Sequence, residues 1–177
     1  MSEDTLIANC RQGDRKAMQA LYEQYAAKML AVCFRYVNDG SVARDLLHDG
    51  FIIVFNKIGD FRGEGSFEGW MRRVFVTTSL GYLRKQGNLK DRKSLDQAGL
   101  LTDKEASVLD KMSSEEIMSC IGKLPEGYRT VLNLFAVEGY SHREIAGMLG
   151  ISEGTSRSQY SRARAFLLRV LKEMEII

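Results

Sequence analysis

The feature that most constrains this chain is the spacing of its apolar residues, which recur every three or four positions in a sequence almost free of proline. Among 177 residues the one proline is Pro125. No segment alternates apolar and polar residues between hairpin turn signals. Because a spacing of three to four places apolar side chains on one face of a helix, the pattern predicts an all-α fold.

The first half of the chain is predicted to form three helices. One begins near Asp14; the next is capped by Ser41 and closed by Gly59. After a glycine-bearing loop, Ser66 caps a third helix that ends near Lys85. The apolar stripe of the first helix is Met18, Leu21, Tyr22, Tyr25, Met29, Val32, Cys33 and Tyr36, and that of the second is Leu47, Phe51, Val54, Phe55 and Ile58.

The apolar pattern weakens in the middle of the chain, where polar residues dominate and leucines are isolated. Such a segment lacks the apolar surface for a stable core, so we interpret it as a flexible linker. The prediction is therefore two small helical domains, residues 1–87 and 113–177, joined by a linker at 88–112.

The second domain carries several helix-start signals. Ser113 with Glu116, and Ser141 with Glu144, have the spacing of capping boxes. Pro125 suits the first turn of a helix that carries Val131, Leu132 and Phe135 to a stop at Gly139. A short helix, 142–149, is predicted to end at Gly150, and Ser152 caps the last helix.

Residues 141–164 have the pattern of a helix-turn-helix. Ala146 is small where two helices would approach, Gly150 permits a tight turn, and Ile145, Leu149 and Ile151 supply a shared core. The second helix then offers side chains suited to base edges and phosphates: Thr155, Arg157, Ser158, Gln159 and Arg162. The alternative is a helical hairpin with an arginine-rich exterior; the combination of caps, glycine and basic helix favours DNA binding.

Net charge is only +2, but the bases are clustered. Residues 69–93 contain seven bases and one acid, and residues 154–172 contain five bases and no acid. Two basic stretches suit two phosphate-facing surfaces, although solvated helix faces would show the same pattern. Around the loop at 60–65, four aromatic residues alternate with arginines, a combination that suits unstacked bases but also a helical core: Phe61, Phe67, Trp70 and Phe75.

The sequence offers little support for a catalytic site. Asp45 and Asp49 lie four residues apart on one helix face without a third ligand nearby, and His48 and His142 are predicted to be isolated surface residues. We expect no metal, no cofactor and no catalytic residues. Cys10, Cys33 and Cys120 are too widely spaced for a metal motif and are expected to be buried and reduced. With no long apolar segment and an acidic N-terminus, the chain is expected to be cytoplasmic, without membrane insertion.

Taken together, these motifs resemble the bacterial RNA polymerase sigma factors of the extracytoplasmic-function (ECF, group 4) type in the sigma-70 family. The resemblance covers residues 10–173 and rests on ARDLLHDGFIIVF (43–55), FRGEGSFEGWMRRVFVTTSLGYLRK (61–85), LPEGYR and EIAGMLGIS. It implies a first domain that binds core polymerase and the −10 element, and a helix-turn-helix domain that reads the −35 element.

The resemblance also implies partners and sites. The partners are core RNA polymerase, through the clamp helices of its largest subunit and its flap, promoter DNA, and an anti-sigma factor. Polymerase contacts would come from Asp45, Leu46, Asp49, Phe51, Ile52 and Phe55. The −10 contacts would come from Arg62, Ser66, Phe67, Trp70, Arg73, Thr77 and Arg84. The −35 contacts would come from Ser152, Thr155, Ser156, Arg157, Gln159, Tyr160 and Arg162.

Two other functions compete with a sigma factor. One is a stand-alone helix-turn-helix regulator whose first domain senses a ligand or dimerises; the other is a nucleic-acid-modifying enzyme that uses Asp45 and Asp49. A sensor would need a ligand pocket or alternating strands, and an enzyme a fuller ligand set, neither of which the sequence indicates. The sequence therefore favours a promoter-specificity subunit that is not an enzyme.

Overall fold

A computed structural model of the chain describes residues 2–87 and 113–174. Every regular element in those two ranges is helical, which confirms the all-α prediction. The chain divides into two compact units, Met1–Leu83 and Arg84–Ile177. The predicted linker at 88–112 lies outside the described residues.

Within its described residues the N-terminal unit contains three α-helices and all but the last two residues of a fourth. They are α1 (Glu3–Arg11), α2 (Arg15–Val37), α3 (Gly40–Lys57) and α4 (Phe67–Lys85), with a 3-10 turn, Ile58–Asp60, after α3. The apolar stripe predicted on α2 is confirmed, since six of its eight members are buried and Met18 and Tyr22 are half-buried. Helix α1, which was not among the predicted helices, buries only Leu6, Ile7 and Cys10.

The caps of the N-terminal unit differ from the prediction at one place. Asp14 caps α2 and Ser66 Oγ accepts the Gly69 amide at 3.0 Å, as expected. Helix α3, however, is capped by Asp39 and not by Ser41, because the Asp39 carboxylate accepts the amides of Ser41 (2.8 Å) and Val42 (3.0 Å). Asn38, at φ 50°, ends α2 immediately before this cap.

The C-terminal unit contains α5 (Ser114–Gly122), α6 (Glu126–Leu132), α7 (His142–Leu149) and α8 (Glu153–Glu173). Both predicted capping boxes are present, and Ser152 caps α8. Gly150 ends α7 at φ 67°, a conformation that favours glycine. The core that holds α5, α6 and α8 together is formed by Cys120, Ile121, Leu124, Leu132, Ala163, Leu167, Val170 and Leu171.

The helical segment that begins with α6 stops at Gly139 (φ 79°) as predicted, but it is not α-helical throughout. After Leu132 the backbone widens into a π-turn, Asn133–Val137, in which the Glu138 amide donates to the Asn133 carbonyl at 2.9 Å. Such a wide turn inserts a residue into the helical register and carries no signal in residue type or spacing.

Candidate polymerase and DNA interfaces

An acidic and apolar ridge runs along the exposed side of α3. Asp45, Asp49 and Ile52 follow one another at helical spacing and all are exposed, Ile52 by 59% of its surface. We call these three residues the α3 ridge. A single exposed isoleucine is ordinary on a protein surface, and what distinguishes this one is its place in a row with two carboxylates, which gives the ridge both charge and apolar area.

The other predicted polymerase contacts lie beneath that ridge. Leu46 and Phe51 are buried and Phe55 is half-buried. The Phe51 ring packs against Tyr22 (4.7 Å between centroids), Phe55 (5.8 Å) and Phe75 (5.3 Å). Leu46 and Phe51 therefore belong to the packing beneath the ridge, and Asp45, Asp49 and Ile52 are the members of the predicted set that are exposed.

Three aromatic rings meet where the loop after α3 enters α4. Phe61, Phe67 and Trp70, which we call the aromatic cluster, have centroids 5.2–5.7 Å apart, with Phe67 and Trp70 stacked. Phe67 is 1% exposed and cannot touch DNA directly, contrary to its predicted role. Trp70 is half-buried, so one ring of the cluster faces outward on a buried support.

Basic and polar side chains continue outward from the aromatic cluster along α4. Arg73, Thr77 and Arg84 share the face of Trp70 at helical spacing and are exposed. In the loop, Arg62 and Ser66 are also exposed, although the Ser66 hydroxyl is used as the helix cap. A planar ring beside guanidinium groups is suited to an unstacked base and its backbone.

In the C-terminal unit, α7 and α8 form the predicted helix-turn-helix, with Ile145 completely buried and Leu149 8% exposed between them. At the start of α8, Ser152 Oγ accepts the Thr155 amide at 2.9 Å. Arg157 is exposed and pairs with Glu153 one turn earlier, with 2.5 Å between nitrogen and oxygen. Gln159 and Arg162 are half-buried further along the helix.

Two residues expected to read DNA on α8 instead pack inward. Ser156 is fully buried and its hydroxyl lies 2.9 Å from His142 Nδ1. Tyr160 is half-buried against Phe135, with ring centroids 4.6 Å apart. Of the seven residues predicted to contact the −35 element, Ser156 is therefore unavailable at the surface, and Ser152 and Arg157 are the most exposed.

His142 is not the isolated surface residue expected from the sequence. Its ring stacks on Phe135 at 4.3 Å and 11°, and it also lies 5.8 Å from Tyr160. Burial, followed by the charge of Arg157, lowers the pKa of His142 below its ordinary value of 6.5; Glu153 acts in the opposite direction. The neutral ring therefore links the first helix of the motif to the second through Ser156.

The described residues contain no group of three or more His, Cys, Asp or Glu side chains placed to hold a metal ion. Nor does any helix in the described ranges have the length and apolarity to cross a membrane. The three cysteines are buried free thiols, and burial raises the pKa of Cys33 to about 11, which suppresses its reactive thiolate.

Comparison with known proteins matches both halves of the chain to the same family. Residues 21–88 match the family model "Sigma-70 region 2", and residues 114–167 match "Sigma-70, region 4". The chain is 30% identical to the ECF RNA polymerase sigma-E factor of Haemophilus influenzae over 94% of each chain. It is 29% identical to the RNA polymerase sigma-H factor of Pseudomonas aeruginosa, over 97% of this chain and 95% of the other.

Solved structures share the fold. The sigma factor RpoE from Bartonella quintana, in a co-crystal with the anti-sigma factor NepR, is 19% identical with a TM-score of 0.53, over 89% of this chain and 98% of the other. CnrH, in complex with the cytosolic domain of CnrY, is 22% identical with a TM-score of 0.51, over 96% of each chain.

Proposed function

This chain belongs to the sigma-70 family as a sigma factor of the extracytoplasmic-function type. From that premise we propose which of its surfaces binds polymerase and which surfaces bind promoter DNA during transcription initiation. The N-terminal unit docks on core RNA polymerase and captures the −10 element. The C-terminal unit reads the −35 element. The predicted domains 1–87 and 113–177 serve as these two modules, with 88–112 as the tether.

Docking on polymerase is assigned to the α3 ridge. Asp45 and Asp49 offer charge that a basic partner surface would complement, and Ile52 offers apolar area that water does not favour. Leu46, Phe51 and Phe55 support the ridge from beneath. The predicted polymerase partner elements are the clamp helices of the largest subunit, with the flap contacting the C-terminal unit.

Capture of the −10 element is assigned to the aromatic cluster and the adjoining face of α4. A base flipped out of the duplex would stack near Trp70, while Arg62, Arg73 and Arg84 hold the phosphates and Thr77 contacts the strand. Flipping costs a few kcal/mol of unstacking, which contacts made only by the open strand offset. The observation that carries this assignment is the half-exposed Trp70 stacked on a fully buried Phe67.

Reading of the −35 duplex is assigned to the first turns of α8. A helix of 21 residues is about 30 Å long, so only its N-terminal part fits in the major groove. Ser152 and Thr155 can hold phosphates, and Arg157, Gln159 and Arg162 can reach bases or backbone. Ser156 and Tyr160 act on this surface only through their packing against α7 and the π-turn.

Each DNA surface is small, so the free chain should bind DNA weakly and in a salt-dependent manner. Selectivity arises when polymerase holds both modules at promoter spacing, because the second contact then becomes intramolecular. We propose that the chain acts in the cytoplasm, without catalysis of its own, and that an anti-sigma factor regulates it. The co-crystal of the fold relative RpoE with the anti-sigma factor NepR supports the last point.

The decisive experiment combines the purified chain with core polymerase on genomic DNA and maps the transcription starts. We expect a discrete set of starts that share two upstream elements and disappear without the chain. A stand-alone regulator would instead footprint a symmetric site tightly without polymerase. A symmetric footprint together with an absence of specific starts would overturn the proposal.

A further inference from the structure

Arg11, in the last turn of α1, ties that helix to the loop that carries the aromatic cluster. Its guanidinium group donates from Nε to the Ile58 carbonyl at 3.2 Å and from Nη2 to the Phe61 carbonyl at 2.5 Å. The two acceptors bracket the 3-10 turn that ends α3. One side chain therefore fixes both ends of the turn from a helix about fifty residues away in sequence.

Fixing the backbone at Phe61 also fixes its ring, because that side chain is 9% exposed and packed. The Phe61 centroid lies 5.2 Å from Phe67 and 5.7 Å from Trp70. A shift of Phe61 would remove one of the two rings that pack against the half-exposed Trp70 ring. The contacts thus run from Arg11, through Phe61, to Trp70.

The other end of α1 is anchored to the same region. Glu3 accepts a hydrogen bond from the Tyr25 hydroxyl, and the Tyr25 ring meets the edge of Phe67 at 6.1 Å. Lys28, one turn further along α2, pairs with Glu68 in the first turn of α4 at 2.7 Å. Helix α1 is therefore tied at its start to Tyr25 of α2, and at its end to the loop after α3 through Arg11.

We propose that Arg11 is a positioning residue for −10 capture: it holds the loop and Phe61 so that the Trp70 ring is presented in the orientation a flipped base requires. This inference rests on the proposed role of the aromatic cluster. Arg11 lies before residue 21, where the match to the sigma-70 region 2 model begins. A planar guanidinium suits the task, since its fixed fork of donors serves two carbonyls at once and lysine cannot reproduce that geometry.

The test compares Arg11→Ala and Arg11→Lys with Arg15→Ala, a matched control that removes an exposed arginine from the start of α2. Trp70 is the only tryptophan in the chain, so its fluorescence reports on the cluster directly. We expect Arg11→Ala to make Trp70 measurably more accessible to acrylamide in the folded free chain. With core polymerase on a duplex promoter, permanganate-detected −10 opening should fall about 10-fold, while polymerase affinity stays unchanged.

Arg11→Lys should give an intermediate opening rate, and Arg15→Ala should match the wild type in every measurement. Circular dichroism establishes whether each variant is folded. If Arg11→Ala does not fold, the comparison is made between Arg11→Lys and the wild type. Trp70→Ala is assayed in parallel to test the cluster itself. If Trp70→Ala impairs opening but neither Arg11 variant changes opening or quenching, the inference is wrong and the proposed function stands. If Trp70→Ala leaves opening intact, the −10 assignment itself fails.

Discussion

Gly50 on α3 faces the ring of Phe75 on α4 so closely that a Cβ at position 50 would lie 2.2 Å from Phe75 Cε1. Phe75 is fully buried and also meets Phe51 edge to face at 5.3 Å. Because a rigid buried ring cannot yield as a flexible side chain would, the two helices approach at this point only if residue 50 has no side chain. The close approach sets α3, with its exposed ridge, against α4, with the aromatic cluster.

Gly50→Ala is expected to lower the free energy of unfolding of the N-terminal unit by about 1–3 kcal/mol, the usual cost of overpacking a core. The change is destabilising even though alanine is the better helix former. Urea unfolding followed by circular dichroism measures it.

Gly81→Ala is the control for that experiment, since Gly81 lies within α4 at a position where an added Cβ would meet nothing within 4 Å. There the gain in helix propensity should raise stability by about 0.5–1 kcal/mol. Equal effects of the two substitutions would show that the Gly50 contact with Phe75 is not what limits the packing.

Asp49→Arg reverses the charge at the middle of the α3 ridge. It should weaken binding of the chain to core polymerase by at least about 10-fold, because like charges opposed across an interface cost several kcal/mol. Thermal unfolding should be nearly unchanged, since Asp49 is exposed. Glu23→Arg, at an exposed position on α2, makes the same charge change away from the ridge. Unchanged affinity of Asp49→Arg, or an equal loss with Glu23→Arg, would refute the docking face.

Arg157→Ala should reduce initiation at −35-dependent promoters by an amount equivalent to about 1–3 kcal/mol, the value of a good base contact. Polymerase binding should not change. Arg169→Ala is the control: Arg169 is also exposed on α8 but lies three turns beyond Arg157, over the Phe166 ring at 4.8 Å. If both variants lose activity equally, the assignment of DNA reading to the first turns of α8 is wrong. A competition assay with altered −35 sequences separates base reading from phosphate contact.

Stability of the C-terminal unit should depend on pH through His142. Its pKa is lower in the folded chain than the ordinary 6.5, so the unfolded chain takes up the proton first as pH falls. The stabilising contribution is therefore complete above about pH 6.5 and is lost as pH falls through the folded pKa. His142→Phe keeps an aromatic ring for Phe135 but cannot titrate or bond to Ser156. Urea unfolding of both chains between pH 7.5 and 5 should show a smaller slope for the variant; identical slopes would contradict the assignment.

Local signals predicted most of the elements because they act over three or four residues. The Ser113 and Ser141 capping boxes, the start of α2 at Asp14 and the turn at Gly150 each depend on one or two side chains close in sequence. The predicted cap of α3 was wrong because both Asp39 and Ser41 are good capping residues two positions apart, and the choice depends on where the backbone leaves α2.

The site residues were harder to predict because burial is a property of the packed unit. Helical spacing predicted that Phe67 and Trp70 lie near each other, but only the packing of the unit determines that Phe67 is buried and Trp70 is half-exposed. Ser156 and His142 are fourteen residues apart and no sequence pattern links them, so their hydrogen bond could not be predicted from the sequence. The partnership of Arg11 with the loop after α3 is equally non-local.

The ion pair between Glu153 and Arg157 has a consequence for how the chain searches a genome. Its two side chains are 45% and 64% exposed, so the pair adds little stability and exchanges easily. If α8 reads the −35 element as proposed, a nonspecific DNA duplex would have to displace the Glu153 carboxylate before it could engage Arg157. That competition would shorten nonspecific encounters more than a promoter complex in which the other proposed −35 contacts are also made.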